Sequence, residues 1–154
     1  MIATDEQFIA AWRHWGRPCA KDQLEGLLCG DTKEIVVVPN IPALRDEANR
    51  TVSKAWIGIK GVETAADPTV NATWTSAGGI LSITTTEVAG QGQILNSGEH
   101  SPELRFDLTS TNTVALTPHK TYHCSIKVLM SDGALYPIER FTFNTRQQVV
   151  VATS

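Results

Sequence analysis

Thr121 to Phe143 reads T-Y-H-C-S-I-K-V-L-M-S-D-G-A-L-Y-P-I-E-R-F-T-F, two alternating stretches joined at Ser131-Asp132-Gly133. Alternation of period two means strand, because successive side chains leave opposite faces of a pleated chain. Tyr122, Cys124, Ile126 and Val128 share one face; His123, Ser125, Lys127 and Leu129 share the other. The first set is apolar and uncharged, so it is the buried one. Burying each such side chain contributes about 1.5–3 kcal/mol. Asp132-Gly133 is a hairpin signal, since glycine accepts the backbone that tight turns demand. The return strand carries Leu135, Phe141 and Phe143, with Pro137 placing it at an edge or a bulge.

Outward from this hairpin the period of two recurs back to Gly30. Glu34–Val38 is a β-branched run halted by Pro39 and Pro42. Ile41–Thr51 is polar and reads as a loop. Val52–Lys60 is a strand with Lys54, Trp56 and Gly58 on one face and Ile57 and Ile59 on the other, its inward face left open. A short strand over Asn71–Thr75, a turn over Ser76–Gly79 and a strand over Ile80–Glu87 follow. A glycine-rich link then runs through Gly90 and Gly92. Glu103–Leu108 alternates with Leu104, Phe106 and Leu108 on one face; Val114–Leu116 is short, and Gln147–Ala152 is a closing strand. About seven to nine short strands with no helical crossover predict an antiparallel sandwich, a small barrel being the alternative.

Before Gly30 the period is helical. Thr4 and Gln7 fit a capping box, and Phe8, Ala11, Trp12 and Trp15 fall on one face. After Gly16, Pro18 opens a second helix with Ala20, Leu24, Leu27 and Leu28 as its stripe, and Gly30 stops it. Two such helices cannot build a core alone. The expected division is a helical docking segment over 1–30 and a β-sandwich over 31–154. The apolar faces of the segment, Phe8, Trp12, Trp15, Leu24 and Leu28, are the expected partner-binding residues, because tryptophan is favoured where interfaces concentrate their energy.

Charge is nearly balanced, 13 basic against 16 acidic residues without blocks, so no nucleic-acid footprint is expected. No apolar run reaches the roughly 20 residues that span a bilayer, so no membrane partner is expected. Met1–Cys19 lacks the basic start and continuous apolar run of a signal peptide, which predicts synthesis in a cytoplasm. The three cysteines, Cys19, Cys29 and Cys124, form no close pair and predict no disulfide framework.

Chemistry is sparse. His123 and Cys124 are adjacent, but neighbours on a strand point to opposite faces and cannot meet as base and nucleophile. His14, Cys19 and Cys29 lack the knuckle spacing of a zinc site, so no metal is expected. Asp46, Glu47, Asp67, Glu99 and Glu103 are solvated acids of loops and strand starts. Gly90-Gln91-Gly92 has no following helix to cradle a phosphate, and no cofactor is expected. Asn49-Arg50-Thr51 and Asn71-Ala72-Thr73 match the glycosylation acceptor pattern by chance. Trp56, Trp74 or Tyr136 could instead stack on a sugar, which makes a carbohydrate- or ligand-binding sandwich the alternative function.

Tyr122-x-Cys124 has the spacing of the tyrosine corner of immunoglobulin-like sandwiches, with no partner cysteine for their disulfide, which leaves Cys124 as a small buried hydrophobe. Gly30-Asp31-Thr32, Phe106-Asp107-Leu108-Thr109, Leu116-Thr117-Pro118, Tyr122-x-Cys124-x-Ile126, Ser131-Asp132-Gly133 and Phe141-Thr142-Phe143 follow in order. Over residues 31–152 this series resembles the immunoglobulin-like domain of bacteriophage baseplate and tail-associated proteins of the upper-baseplate type. That family places a glycine before the tyrosine, where Lys120 stands here. The resemblance implies a mainly β, immunoglobulin-like antiparallel sandwich behind the two-helix appendage, with Tyr122, Cys124, Asp132 and Gly133 as structural residues. It also implies a non-enzymatic structural protein of the virion (tail, baseplate, neck or capsid-associated), made in the bacterial host cytoplasm. Its partners would be other virion proteins and copies of itself in a symmetric assembly.

Overall fold

A computed structural model of the chain describes residues 19–39, 51–97 and 102–148. Strand β7 (Thr121–Met130) and strand β8 (Leu135–Gln147) form the central hairpin, paired from Thr121↔Asn144 to Leu129↔Leu135. Its tip is a three-residue loop: Gly133 N–H donates to Met130 C=O at 3.0 Å, and Met130 N–H to Ala134 C=O at 2.8 Å. The register slips between Ile126 and Lys127, opposite Pro137, where the missing N–H makes a bulge tolerable.

The remaining strands are β1 (Leu27–Cys29), β2 (Lys33–Val37), β3 (Val52–Lys60), β4 (Gly78–Ile83), β5 (Gly92–Leu95) and β6 (Glu103–Leu108). One sheet has the order β1-β8-β7-β3-β4, the other β2-β6-β5. All pairings are antiparallel except β1 with β8. The inward side chains of both sheets belong to one core: Ile57, Ile59, Tyr122, Ile126 and Phe143 from the first, Ile35, Leu104 and Phe106 from the second. The chain is therefore mainly β with two sheets, consistent with a β-sandwich. The face left open for β3 is resolved: Ala55, Ile57 and Ile59 are buried, and Lys54, Trp56, Gly58 and Lys60 face out.

Several local expectations change. The second helix ends early: α1 spans only Ala20–Leu24, and Leu27–Cys29 is strand β1. Gly26 N–H donates to Asn144 C=O at 2.8 Å, and Leu27–Cys29 then runs beside Thr145–Gln147. A free strand edge captures the chain before a second helical turn forms, since short helices have little stability of their own. Ala20 and Leu24 are fully buried in the sandwich core. The division expected at Gly30 does not hold for residues 19–30, which pack into the sandwich. Val114–Leu116 is not a strand. Ser110–Val114 is helix α2, whose capping box joins Thr109 and Asn112. Asn71–Thr75 makes only isolated bridges, and β5 falls where a glycine link was expected. The first predicted helix, the loop over 41–50 and the closing strand beyond Gln148 lie outside the described residues.

One edge of each sheet, β2 in the smaller and β4 in the larger, is covered by a side chain. The Gln23 amide donates to Val36 C=O and accepts from Val36 N–H, each at 2.8 Å, as a neighbouring strand would. Asn71 does the same for β4: its Oδ1 accepts from Ser82 N–H and its amide donates to Ser82 Oγ, both at 2.9 Å. Covering free edges in this way blocks unwanted strand pairing.

Candidate functional site

The outer face of the five-stranded sheet carries the candidate site. Cross-strand pairing sets Gly58 beside Ile80 on one side and Ser125 on the other, and Ser125 beside Arg140. These residues floor a groove of about 480 Å³, bounded by Lys60, His123, Lys127 and Thr142. A Cβ built at Gly58 would sit 3.6 Å from Ile80 and 3.7 Å from Ser125, ordinary contact distances. Position 58 thus adds no side chain to the groove floor, although the backbone there would accept one. Glycine inside a strand costs stability relative to a side chain that packs.

The segment after β3 forms one wall. Lys60 Nζ donates to Ala65 C=O at 2.7 Å and pairs with Asp67 at 2.5 Å. The hydrogen bond from Lys60 to Asp67, then the charge of Lys60 and lastly that of Lys127, holds the Asp67 carboxyl below its usual range. Glu63 pairs with Arg140 and lies 3.8 Å from His123 Nδ1. The Glu139 carboxylate accepts from Ala20 N–H at 3.1 Å. Each acid at the groove therefore already has a partner.

Trp56 stands next to the groove as the direct neighbour of Lys127 across the β3–β7 ladder. Lys54 Nζ lies 5.3 Å and Lys127 Nζ 5.6 Å from the centroid of its ring. Neither lysine forms an ion pair with an acid among the described residues. Of the three aromatics considered for stacking, Trp56 alone lies on this face. Trp74 is buried over Gly79, and half-buried Tyr136 packs against the core.

The other expected residues are placed as follows. Tyr122 is fully buried at the start of β7, its hydroxyl accepting from Thr117 N–H at 2.7 Å and donating to Ser76 C=O at 2.8 Å. Cys124 is buried in the core while His123 faces the groove, so the two adjacent groups do not meet. Asp132 and Gly133 occupy the hairpin tip. Leu24 is a core residue and unavailable to a partner; Leu28 is partly exposed on β1, opposite Arg146. Phe8, Trp12 and Trp15 lie outside the described residues. No cluster of three potential metal ligands occurs among the described residues. Lys54, Lys127 and Gly58 were missed as site residues, yet the alternation in Val52–Lys60 places two charges and a tryptophan together on the solvent side.

Burial pushes the Cys124 thiol far up, with Glu139 adding to it, and burial likewise raises Cys29 against the opposing hydrogen bond from Thr145. Thiolates are the reactive form, so both should resist a thiol reagent in the native state while half-buried Cys19 reacts. Labelling with and without denaturant checks this: one fast thiol against three. A thiol whose folded pKa lies above its ordinary 9.0 keeps its proton longer in the native state than in the unfolded one. Stability must then fall as pH rises above about 9, so the urea midpoint should be lower at about pH 10 than at about pH 8.

The chain matches no family model, no curated protein and no solved structure at a significant level.

Proposed function

We propose that the chain is a non-enzymatic, immunoglobulin-like assembly module of a phage-like particle. The observation that carries the fold part is the Tyr122 hydroxyl reaching back to Thr117 N–H at 2.7 Å, two residues ahead of Cys124. A tyrosine corner bonds back to the backbone in this way, and the position at the entry to the late hairpin supports the reading. Strand order supports the same reading. Taking β2 to β8 as strands B, C, C′, D, E, F and G puts G-F-C-C′ in one sheet and B-E-D in the other.

The assembly role draws on the resemblance set out above and on the sequence of the N-terminal segment. Leu24 serves as an anchor, tying that segment to the sandwich core. Docking then falls to Phe8, Trp12 and Trp15, which would bury apolar area against other virion proteins or copies of the chain in a symmetric assembly. A scaffold with one edge of each sheet covered by a side chain suits a rigid building block.

The test is the double variant Trp12→Ala/Trp15→Ala of the full chain. It should lose higher-order assembly by light scattering while keeping the wild-type unfolding transition. Unchanged assembly, or cooperative unfolding of the whole domain, rules this docking surface out. Recovery of the chain in fixed stoichiometry from purified particles checks the virion assignment.

A further inference from the structure

We propose that the outer face around Trp56 and the Gly58 groove binds a carboxylated sugar, such as a uronic or sialic acid unit of a glycan. The inference concerns the sheet face and is independent of the N-terminal segment assigned to assembly.

Charge matching is the first argument. Lys60 is committed to Asp67, and Arg140 and His123 face Glu63. Lys54 and Lys127 make no ion pair with an acid among the described residues, the charge of Lys127 reaching Asp67 only as a minor influence, and both flank the same indole. A lysine poised over a half-buried ring at the surface is weakly held, so its ammonium can swing to a ligand carboxylate without breaking an ion pair. The pair is therefore a ready site for one negative charge beside an aromatic face.

Shape is the second. A groove of about 480 Å³ falls within the range of small-molecule sites, roughly 300–1,000 Å³. Its floor includes Gly58, where a side chain would fit and would intrude on the groove. The C–H face of a pyranose is apolar and slightly positive, and it stacks on the negative face of an indole. Ser125 Oγ on the floor and Thr142 on the wall offer hydroxyls to a polyol.

An acidic peptide fits less well. Peptides usually join sheets by adding a strand at a free edge. The groove lies on a sheet face rather than at an edge, and of the edges Gln23 covers that of β2 and Asn71 that of β4. On the face itself the backbone is already spent in the β3–β4 and β3–β7 ladders.

The experiment is calorimetric titration of the full chain with trigalacturonate and with sialyllactose, against galactotriose and lactose as neutral counterparts and hexaglutamate as the acidic peptide. At least one acidic sugar should bind, its neutral counterpart about tenfold more weakly or not at all, a difference of about 1.4 kcal/mol. Lys54→Gln and Lys127→Gln should each weaken binding severalfold, and added salt should weaken it in wild type. Trp56→Ala and Gly58→Val should abolish it while leaving the melting transition in place. The lysines are at the surface, so their variants report on binding even if the Trp56 or Gly58 variant folds poorly. No heat with either acidic sugar at millimolar concentration overturns the proposal. So does equal binding of a neutral counterpart, tighter binding of hexaglutamate, or indifference to both lysine changes. None of these outcomes bears on Trp12 and Trp15, so the assembly reading stands or falls separately.

Discussion

Gly92→Ala and Gly78→Ala should each destabilise the fold by on the order of 3–4 kcal/mol, among the largest effects of any single methyl group in this chain. Two causes act together at both positions. Gly92 has φ of +128° and Gly78 has φ of +112°, a region essentially reserved for glycine. The added carbon would also lie 1.9 Å from the Arg105 carbonyl oxygen at position 92, and 1.8 Å from the Ile59 carbonyl oxygen at position 78. Those oxygens belong to the facing strands of the β5–β6 and β3–β4 ladders, so relief requires the ladder itself to open. Gly58→Ala is the internal control. Its Cβ meets only ordinary contacts, and the change should be neutral or mildly stabilising. Urea unfolding of the three variants checks the contrast. Equal midpoints would show that the close approaches at 78 and 92 relax without cost.

The same two glycines explain where sequence reasoning stopped short. Val52–Lys60 and Glu103–Leu108 match their strands residue for residue, because alternation is a local signal and these strands bury one face. Gly92–Leu95 reads as a link, since glycine weakens strand propensity. Its strand character comes from the neighbouring β6, which the local sequence does not announce. Leu27–Cys29 fails likewise: the apolar pair Leu27-Leu28 fits a helical stripe, and only the edge of β8 turns it into strand. Ser110–Val114 has no apolar face at all. Its signal is the Thr109-x-x-Asn112 cap, reinforced where Thr113 Oγ1 accepts from Gly30 N–H at 3.0 Å and donates to Asp31 C=O at 2.6 Å. At the site, the face of β3 was legible but its sidedness was not. Either Trp56 or the pair Ile57 and Ile59 could face inward, and only the packing against the second sheet puts the isoleucines in the interior.

Tyr122→Ala should cost about 3–5 kcal/mol, as buried aromatic truncations do, and Tyr122→Phe about 2 kcal/mol. The pair of variants separates the two roles of this side chain. The ring lies fully buried, 6.1 Å centroid to centroid from Phe143 in a stacked arrangement, and removing it leaves a cavity between the hairpin strands. The hydroxyl joins two connections that no strand ladder holds together, the Thr117 amide before β7 and the Ser76 carbonyl before β4. Phenylalanine keeps the packing and leaves both groups without their partner, each worth about 1 kcal/mol net when satisfied. The Thr117 carbonyl is independently bound by the Thr145 hydroxyl at 2.6 Å, so the loop keeps one tether in either variant. Tyr122→Phe should therefore lower the urea midpoint at an unchanged slope. Hydrogen exchange should speed up at Thr117 while the amides of β7 stay protected. Full protection at Thr117 in the phenylalanine variant would mean the corner bond is dispensable, and would remove the main support for the immunoglobulin-like reading.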